Sequence, residues 1–202
     1  MTGIRVVMCL VFGVAAVVAV TPASIAAQDL VEIRTSEGLI VAEVYPEQAP
    51  ITVTKFMDYV DDQLFDGGSF FRVVRSDNQP GDSVRIGVIQ GGPDRAISPE
   101  RYRPAIPLER TRDTGLLHRD GTLSMARAGP DTARAQFFIC VGDQASLDFG
   151  GARNPDGQGF AAFGRVIEGM DVVRRIQERA ADGQQLVDVV GIESVRRLEG
   201  AR

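Results

Sequence analysis

The stretch Gly121-Thr-Leu-Ser-Met-Ala-Arg-Ala-Gly-Pro-Asp-Thr-Ala-Arg-Ala-Gln-Phe-Phe-Ile-Cys-Val-Gly142 decides how this chain is read. Its second half, Ala135–Val141, is a short, mostly apolar run with adjacent phenylalanines and β-branched neighbours, a composition that fits a buried strand better than a helix. Its middle, Ala128–Asp131, joins Gly129 to Pro130 and predicts a surface loop between two strand-like pieces. Polar Gln136 leads straight into Phe137 and Phe138, which sets an amide at the lip of an aromatic pocket. The rest of the chain reads as a scaffold presenting this loop and strand.

Working outward, 202 residues with 44% apolar content suit one globular domain. Residues 1–27 are different material: Arg5 is the only charge, Val6–Val20 is an unbroken apolar or small-residue run, and Thr21–Ala27 is small and helix-breaking. A basic start, a hydrophobic middle and a Ser24-x-Ala26 pattern predict a secretory signal peptide cleaved near Ala26 or Ala27. The run is shorter than the ~20 residues a spanning helix needs, so no stable membrane insertion is expected after cleavage. The remaining domain, residues 28–202, is expected in the periplasm or outside the cell, as a monomer. Loss of Arg5 and of no acid takes the net charge from −5 to −6. An acidic domain without a clustered Lys/Arg face is not a nucleic-acid binder, because phosphate affinity rests on many cationic contacts. Of the two cysteines, Cys9 leaves with the signal peptide. Cys140 is then alone, which rules out an intramolecular disulfide, and within Phe-Phe-Ile-Cys-Val it reads as a small buried hydrophobe.

Leu30–Thr35 and Leu39–Tyr45 form an opening hairpin across Ser36–Gly38. Pro50 suits the first turn of an amphipathic helix over Ile51–Asp61, with Ile51, Val53 or Thr54, Phe56, Met57 and Val60 as its apolar stripe. Ser69–Val74 and Val84–Gln90 read as strands on either side of a polar turn-forming insert, Arg75–Asp82; the second strand stops at Gly91-Gly92-Pro93. Asp94–Gly115 reads mostly as loop. Gly121–Ala126 and Gln136–Val141 are strands. Phe149–Gly159 is a glycine-rich loop that lacks the spaced acids of a calcium site. Phe160–Ile167 is a strand, Gly169–Ala181 a helix with Met170, Val173 and Ile176 on one stripe, and Leu186–Leu198 one or two closing strands. About eight strands and two helices without βαβ alternation predict a mainly β fold, a closed antiparallel barrel capped by helices.

Several motifs tempt a chemical assignment and fail. His118-Arg119-Asp120 and Asp148-Phe149-Gly150 have the look of kinase triplets, but Met125 stands where the catalytic Asn belongs and no glycine-rich phosphate loop exists. There is no G-x-S-x-G elbow for Ser-His-Asp hydrolysis. A lone histidine cannot build a zinc site with one buried cysteine, and no metal or cofactor is expected. What remains is Arg72, on a strand that begins Phe70-Phe71, together with Gln90, Gln136, Phe138 and Leu147. An arginine and amides around an apolar pocket suit recognition of an extended peptide.

Phe70-x-Arg72-Val-Val, Val88-Ile-Gln90-Gly-Gly, Gly121 through Pro130, Gln136-Phe-Phe-Ile139, Leu147-Asp148 and Phe163-Gly-Arg-Val-Ile-Glu-Gly-Met170 follow one another as in the cyclophilin-type peptidyl-prolyl isomerases, which the chain resembles from about Leu30 to Leu198. The resemblance implies an eight-stranded barrel with two capping helices that binds X-Pro segments of peptides and of unfolded or folding proteins in a surface groove. It implies that Arg72 and Gln90 are catalytic, and that Val88, Ala126, Arg127, Gln136, Phe138, Leu147 and Phe160 contact substrate. The chain departs from the family's pattern after the arginine: the usual Pro-Gly-Phe is missing, Arg75–Gly87 is an insert, and Gly87 stands nearest the expected Phe. Phe71 replaces a frequent His, Arg127 a common Asn, and Ser146 a Trp of some members.

The implied reaction suits these residue types. An X-Pro bond rotates over a barrier of ~18–20 kcal/mol because its C–N bond has double-bond character. Twisting it breaks resonance, makes the nitrogen pyramidal and leaves the amide less dipolar. An apolar pocket of Phe138, Leu147 and Val88 would hold the ring, Arg72 would donate to the developing lone pair, and Gln90 would orient Arg72 or the peptide. The expected function is isomerisation during folding of exported proteins. The second reading is a non-catalytic proline-peptide-binding chaperone on the same scaffold.

Overall fold

The computed structural model describes residues 29–94 and 101–198. The expected signal peptide lies outside the described residues. Among the described residues there are nine strands: β1 (Asp29–Thr35), β2 (Gly38–Val44), β3 (Ser69–Val74), β4 (Val88–Gly92), β5 (Thr122–Met125), β6 (Phe137–Cys140), β7 (Ala161–Glu168), β8 (Ala181–Asp182) and β9 (Gln185–Leu198). They run in the order β1-β2-β7-β5-β6-β4-β3-β9, and β9 returns to pair with β1. The result is a closed eight-stranded antiparallel barrel, with β8 paired to β9 outside it. Closure is possible because β9 serves two neighbours: Gln185–Gly191 lies along β3 and Ile192–Leu198 along β1. No open barrel edge is left for another chain to pair with.

Two main helices close the barrel, α1 (Pro50–Asp61) and α3 (Met170–Glu178), with a single-turn α2 (Thr111–Thr114) between them in sequence. Pro50 occupies the start of α1 as expected, and Val53, Phe56, Met57 and Val60 are buried. Ile51 is not; it is 43% exposed, and Tyr59 takes its share of the core. Ala49 offers no side-chain cap. The Glu109 carboxylate does the capping instead, accepting the Ile51 N–H at 3.1 Å and the Thr52 N–H at 2.7 Å. A negative group there satisfies two orphan donors at the positive end of the helix. The loop leading to α2 thus anchors α1. At the start of α3, Gly169 has φ +87°, and a Cβ there would lie 2.3 Å from the Leu39 carbonyl oxygen. Only glycine permits that turn.

Three sequence expectations are corrected. Val84–Gly87 is not strand, because Gln79 folds under the insert and captures both backbone groups of Ile86, its N–H at 3.2 Å and its carbonyl at 2.8 Å. The strand instead begins at Val88 and continues through Gly91–Gly92, where a side chain at Gly91 would meet the Phe70 ring at 2.8 Å. The last helix ends at Glu178 rather than Ala181, because Ala181 pairs with Leu186 in the β8–β9 hairpin. The segment read as loop also holds α2, and Ile106 forms a β-bridge with Ala133.

The β pleat divides the apolar residues into two clusters. Ile33, Ile40, Phe70, Ile89, Leu123, Phe137, Ile139 and Phe163 point into the barrel with Phe56 and Tyr59 of α1. Phe137 meets Phe56, Phe65 and Phe70 edge-on, at centroid separations of 5.5, 5.5 and 5.8 Å. Burial of each such side chain contributes about 1.5–3 kcal/mol. On the outer face, Val74, Val88, Phe138, Cys140 and Leu147 form a second cluster, against which Ile86, Ala126 and Phe160 pack. The Phe137-Phe138 pair therefore serves both, one ring inside the barrel and one outside it. Among the described residues no helix is long and apolar enough to cross a membrane.

Candidate active site

Strand register assembles the site. Arg72 of β3 faces Gln90 of β4, Gln90 faces Phe138 of β6, and Phe138 faces Ser124 of β5. One row across four strands on the outer face of the barrel thus carries a cation, an amide, an aromatic ring and a hydroxyl. The next outward row, Val74, Val88 and Cys140, is apolar and forms the floor beside it. The inward row between them, Val73, Ile89, Ile139 and Leu123, belongs to the barrel core and holds the frame rigid.

Arg72 is half-buried and fully bonded along its outer edge. Its Nη1 donates to Gln90 Oε1 at 2.7 Å, while Nε and Nη2 both donate to Gln184 Oε1, at 3.0 and 2.5 Å. Gln90 Nε2 in turn donates to Gln136 Oε1 at 2.9 Å. Burial, then the nearby Arg153 charge, lowers the Arg72 pKa below its ordinary value against the opposing pull of Asp82. A guanidinium so held remains a cation at any physiological pH.

Beside Arg72 lies a cavity of about 210 Å³ walled by Ile86, Val88, Phe138, Leu147 and Phe160, with Ala126 at its rim. Phe160 stands perpendicular to Phe138 at 5.4 Å. Arg127 lies over the Phe160 ring at 4.9 Å, is bidentate to Asp156 at 2.8 and 2.9 Å, and donates to the Gly159 carbonyl at 2.7 Å. Only 2% of its side chain is exposed. Its guanidinium therefore fastens the 149–159 loop. All the residues singled out from sequence, Arg72, Val88, Gln90, Ala126, Arg127, Gln136, Phe138, Leu147 and Phe160, are brought together here.

Four contributors escaped sequence reasoning. Gln184 comes from the β8–β9 turn, 112 residues from its partner Arg72. Ile86, from the insert, fills the wall where Gly87 was expected to leave a gap. Arg153 donates to the Val84 carbonyl at 2.7 Å and pairs with Asp82 at 2.9 Å, clamping the insert onto the 149–159 loop. His118 is buried behind Phe138 and stacked on it at 6.0 Å. Its Nδ1 lies 2.7 Å from Asp148 Oδ1 and its Nε2 3.0 Å from Ser124 Oγ. A carboxylate accepts only, so in the neutral ring Nδ1 carries the proton and Nε2 accepts from the hydroxyl. Three residue types of hydrolytic chemistry are thus in line, but Ser124 is fully buried, out of reach of any substrate carbonyl. They brace the ring. Cys140 packs behind Phe138, where burial pushes its thiol pKa up. Among the described residues no cluster of three or more His, Cys, Asp or Glu side chains is placed to hold a metal ion.

A barrel closed in this order, with a pocket of mixed apolar and polar lining beside a buttressed arginine, defines a β-barrel of the cyclophilin class. Its fold is similar to that of a Cryptosporidium parvum cyclophilin type peptidyl-prolyl cis-trans isomerase, with a TM-score of 0.66 at 20% identity over 86% of this chain and 99% of that one. A second structure of the same name, in the presence of the dipeptide Ala-Pro, has a TM-score of 0.64 at 21% identity, covering 84% of this chain and 98% of that one. Residues 30–197 match the sequence family described as cyclophilin type peptidyl-prolyl cis-trans isomerase/CLD. The peptidyl-prolyl cis-trans isomerase cyp18 of Streptomyces antibioticus is 39% identical over 83% of this chain and 98% of its own length. Peptidyl-prolyl cis-trans isomerase B of Escherichia coli is 34% identical over 73% and 84%. The chain belongs to the cyclophilin-type peptidyl-prolyl cis-trans isomerases.

Proposed function

We propose that Arg72 is the catalytic group of this isomerase, with Gln90 holding it, and that the cavity beside it takes the proline ring of an X-Pro segment. One observation carries the assignment: three of the guanidinium nitrogens or their protons are committed to the amide oxygens of Gln90 and Gln184, so the cation is fixed in direction before substrate arrives. A preorganised donor needs no reorganisation as charge develops on the twisting amide nitrogen, and each such donor is worth about 10²–10³ in rate. Val88, Phe138, Leu147 and Phe160 supply an apolar seat for the ring, which favours the less dipolar twisted amide over the planar one. Ala126, Arg127 and Gln136 offer the peptide an edge. No covalent step and no proton transfer are needed.

The clients are exported proteins, and the mature chain works in the periplasm or outside the cell after cleavage near Ala26 or Ala27. This part rests on the composition of residues 1–27. The test is NMR exchange on an Ala-Pro peptide with wild type and Arg72→Ala, beside amino-terminal sequencing of the protein recovered from the cell envelope. Catalysis by wild type and a loss of about 10²-fold in Arg72→Ala is the expected pair of results. Unchanged exchange in Arg72→Ala overturns the mechanism. A spontaneous rate with wild type leaves a proline-peptide binder, and an intact amino terminus removes the export assignment.

A further inference from the structure

A second depression, of about 470 Å³, opens beside the proline pocket and shares Gln90, Ala126 and Arg127 with it. Tyr102, Thr132 and Arg134 form its far side. An extended peptide advances about 3.3 Å per residue, so a depression sharing a wall with the proline pocket receives a side chain within about three residues of the proline.

The charge lining both depressions has one sign. Among the described residues Arg72, Arg127, Arg134 and Arg153 line them and no carboxylate does, on a chain of net charge −5. Two of these cations are neutralised where they stand, Arg127 by Asp156 and Arg153 by Asp82. Arg72 is bonded to neutral amides. Arg134 is exposed and has no hydrogen bond or ion pair to any described residue. The nearest acid in its own loop, Asp131, turns its carboxylate to the Leu108 N–H at 2.8 Å. Among the described residues, then, no partner neutralises this exposed cation at the rim of a side-chain-sized depression.

We propose that the groove selects X-Pro segments carrying an aspartate or glutamate close to the proline, with Arg134 as the specificity-determining residue. This rests on the assignment of the neighbouring cavity to the proline ring. The attraction is a solvated ion pair. It acts on the choice among substrates and on encounter, and leaves the twisting of the amide to Arg72.

The experiment is NMR exchange on Ala-Pro peptides in which Glu, Gln or Lys is placed in turn at each of the flanking positions, at low and at high NaCl. Wild type is expected to rank kcat/KM as Glu above Gln above Lys, at positions on one side of the proline, with Glu over Lys by roughly three- to tenfold. Salt screens exposed charges beyond about 10 Å at 0.1 M and more strongly above, so the ratio shrinks as NaCl rises. In Arg134→Glu the ranking reverses. In Arg174→Glu, which changes the net charge equally on the distant α3, the ranking stays as in wild type. A flat series in wild type, or the same ranking in Arg134→Glu, overturns the proposal while leaving the isomerase intact. If no peptide is isomerised faster than spontaneously, the ranking is read from Kd by titration of the same peptides, and a flat series there overturns it equally.

Discussion

Arg72 and Gln90 are cross-strand partners in β3 and β4, and Arg72 Nη1 donates to Gln90 Oε1 across that pairing at 2.7 Å. The bond joins two residues that the ladder already holds opposite one another, so its geometry costs little side-chain freedom beyond what the strands have taken. On the other edge the same guanidinium is held by Gln184, which β9 delivers by pairing with β3. Arg72 is thus a bridge between two neighbours in the barrel, held from both edges.

It follows that Gln184 positions Arg72 without touching the peptide. Gln184→Ala is expected to lower kcat by about 10–100-fold, the equivalent of about 1.5–3 kcal/mol for the charge-assisted hydrogen bonding its Oε1 accepts from Nε and Nη2, with KM nearly unchanged. Gln90→Ala has a similar effect. The double variant loses less than the product of the two, because both act through one guanidinium. Single-turnover NMR exchange measures this. Independent, multiplicative losses mean that the two amides do not share Arg72 as their target.

His118, Asp148 and Ser124 form the other brace. Asp148 Oδ1 accepts from both the backbone N–H and Nδ1 of His118, at 3.0 and 2.7 Å. Removing that acceptor leaves two buried donors unpaired, and each costs about 1–3 kcal/mol. Asp148→Ala is therefore expected to lower the urea midpoint well beyond Asp148→Asn, which keeps an acceptor oxygen. Line broadening of the Phe138 ring should accompany it, because the ring loses its stacked partner. Equal stability of the two variants removes this role for the carboxylate.

Much of the barrel was legible because its strands are short, β-branched and separated by glycine and proline, and the Phe137-Phe138 pair marked the strand that faces both core and groove. The side chains in register on the outer face were legible only through the resemblance, since alternation says which residues point outward and not which strands become neighbours. Gln184 was hidden because a glutamine after Gly183 looks like an ordinary turn residue until β9 is wrapped onto β3. Ile86 was hidden because Val84–Gln90 reads as one continuous strand, and the Gln79 amide that takes its backbone out of the ladder is itself a buried polar group, 1% exposed. His118 was set aside as part of a false kinase triplet, its partner Asp148 lying 30 residues on.

The insert gives a third prediction. Ile86 packs over the cluster around Phe138 and lines the 210 Å³ cavity beside Arg72. Gln79 positions it, and the remaining Gln79 proton goes to the Arg75 carbonyl at 2.7 Å, so both donors of this amide are used inside the insert. Ile86→Ala removes apolar surface from the ring's seat and is expected to raise KM for an Ala-Pro peptide about four- to fifteenfold, the equivalent of one to two methylenes of lost contact with the ring at about 0.8 kcal/mol each. Gln79→Ala should reproduce that rise and Gln79→Glu part of it, since a carboxylate keeps the acceptor for the Ile86 N–H and loses both donors. Peptide titrations by NMR report the change. If KM is indifferent to Ile86, the wall is decorative and the ring sits elsewhere.

The closing strand gives the last. Arg196 of β9 is bidentate to Asp66, Nη1 to Oδ1 at 2.8 Å and Nη2 to Oδ2 at 2.6 Å, tying the strand that seals the barrel to the connector after α1. Hydrogen bonds from Arg196 depress the Asp66 pKa, and partial burial opposes them more weakly. A carboxylate whose folded pKa lies below its unfolded value of ~3.9 adds stability above that pH and loses it as pH falls through the folded pKa. The pair is partly solvated, so its worth is at most about 1 kcal/mol. Asp66→Asn is therefore expected to be less stable than wild type by up to about 1 kcal/mol at pH 7, with the gap closing below pH ~3.9 and narrowing in high salt. Urea denaturation at pH 7 and pH 2.5 reads it directly. A gap that persists unchanged at pH 2.5 assigns the loss to packing or to the backbone around Asp66 rather than to its charge.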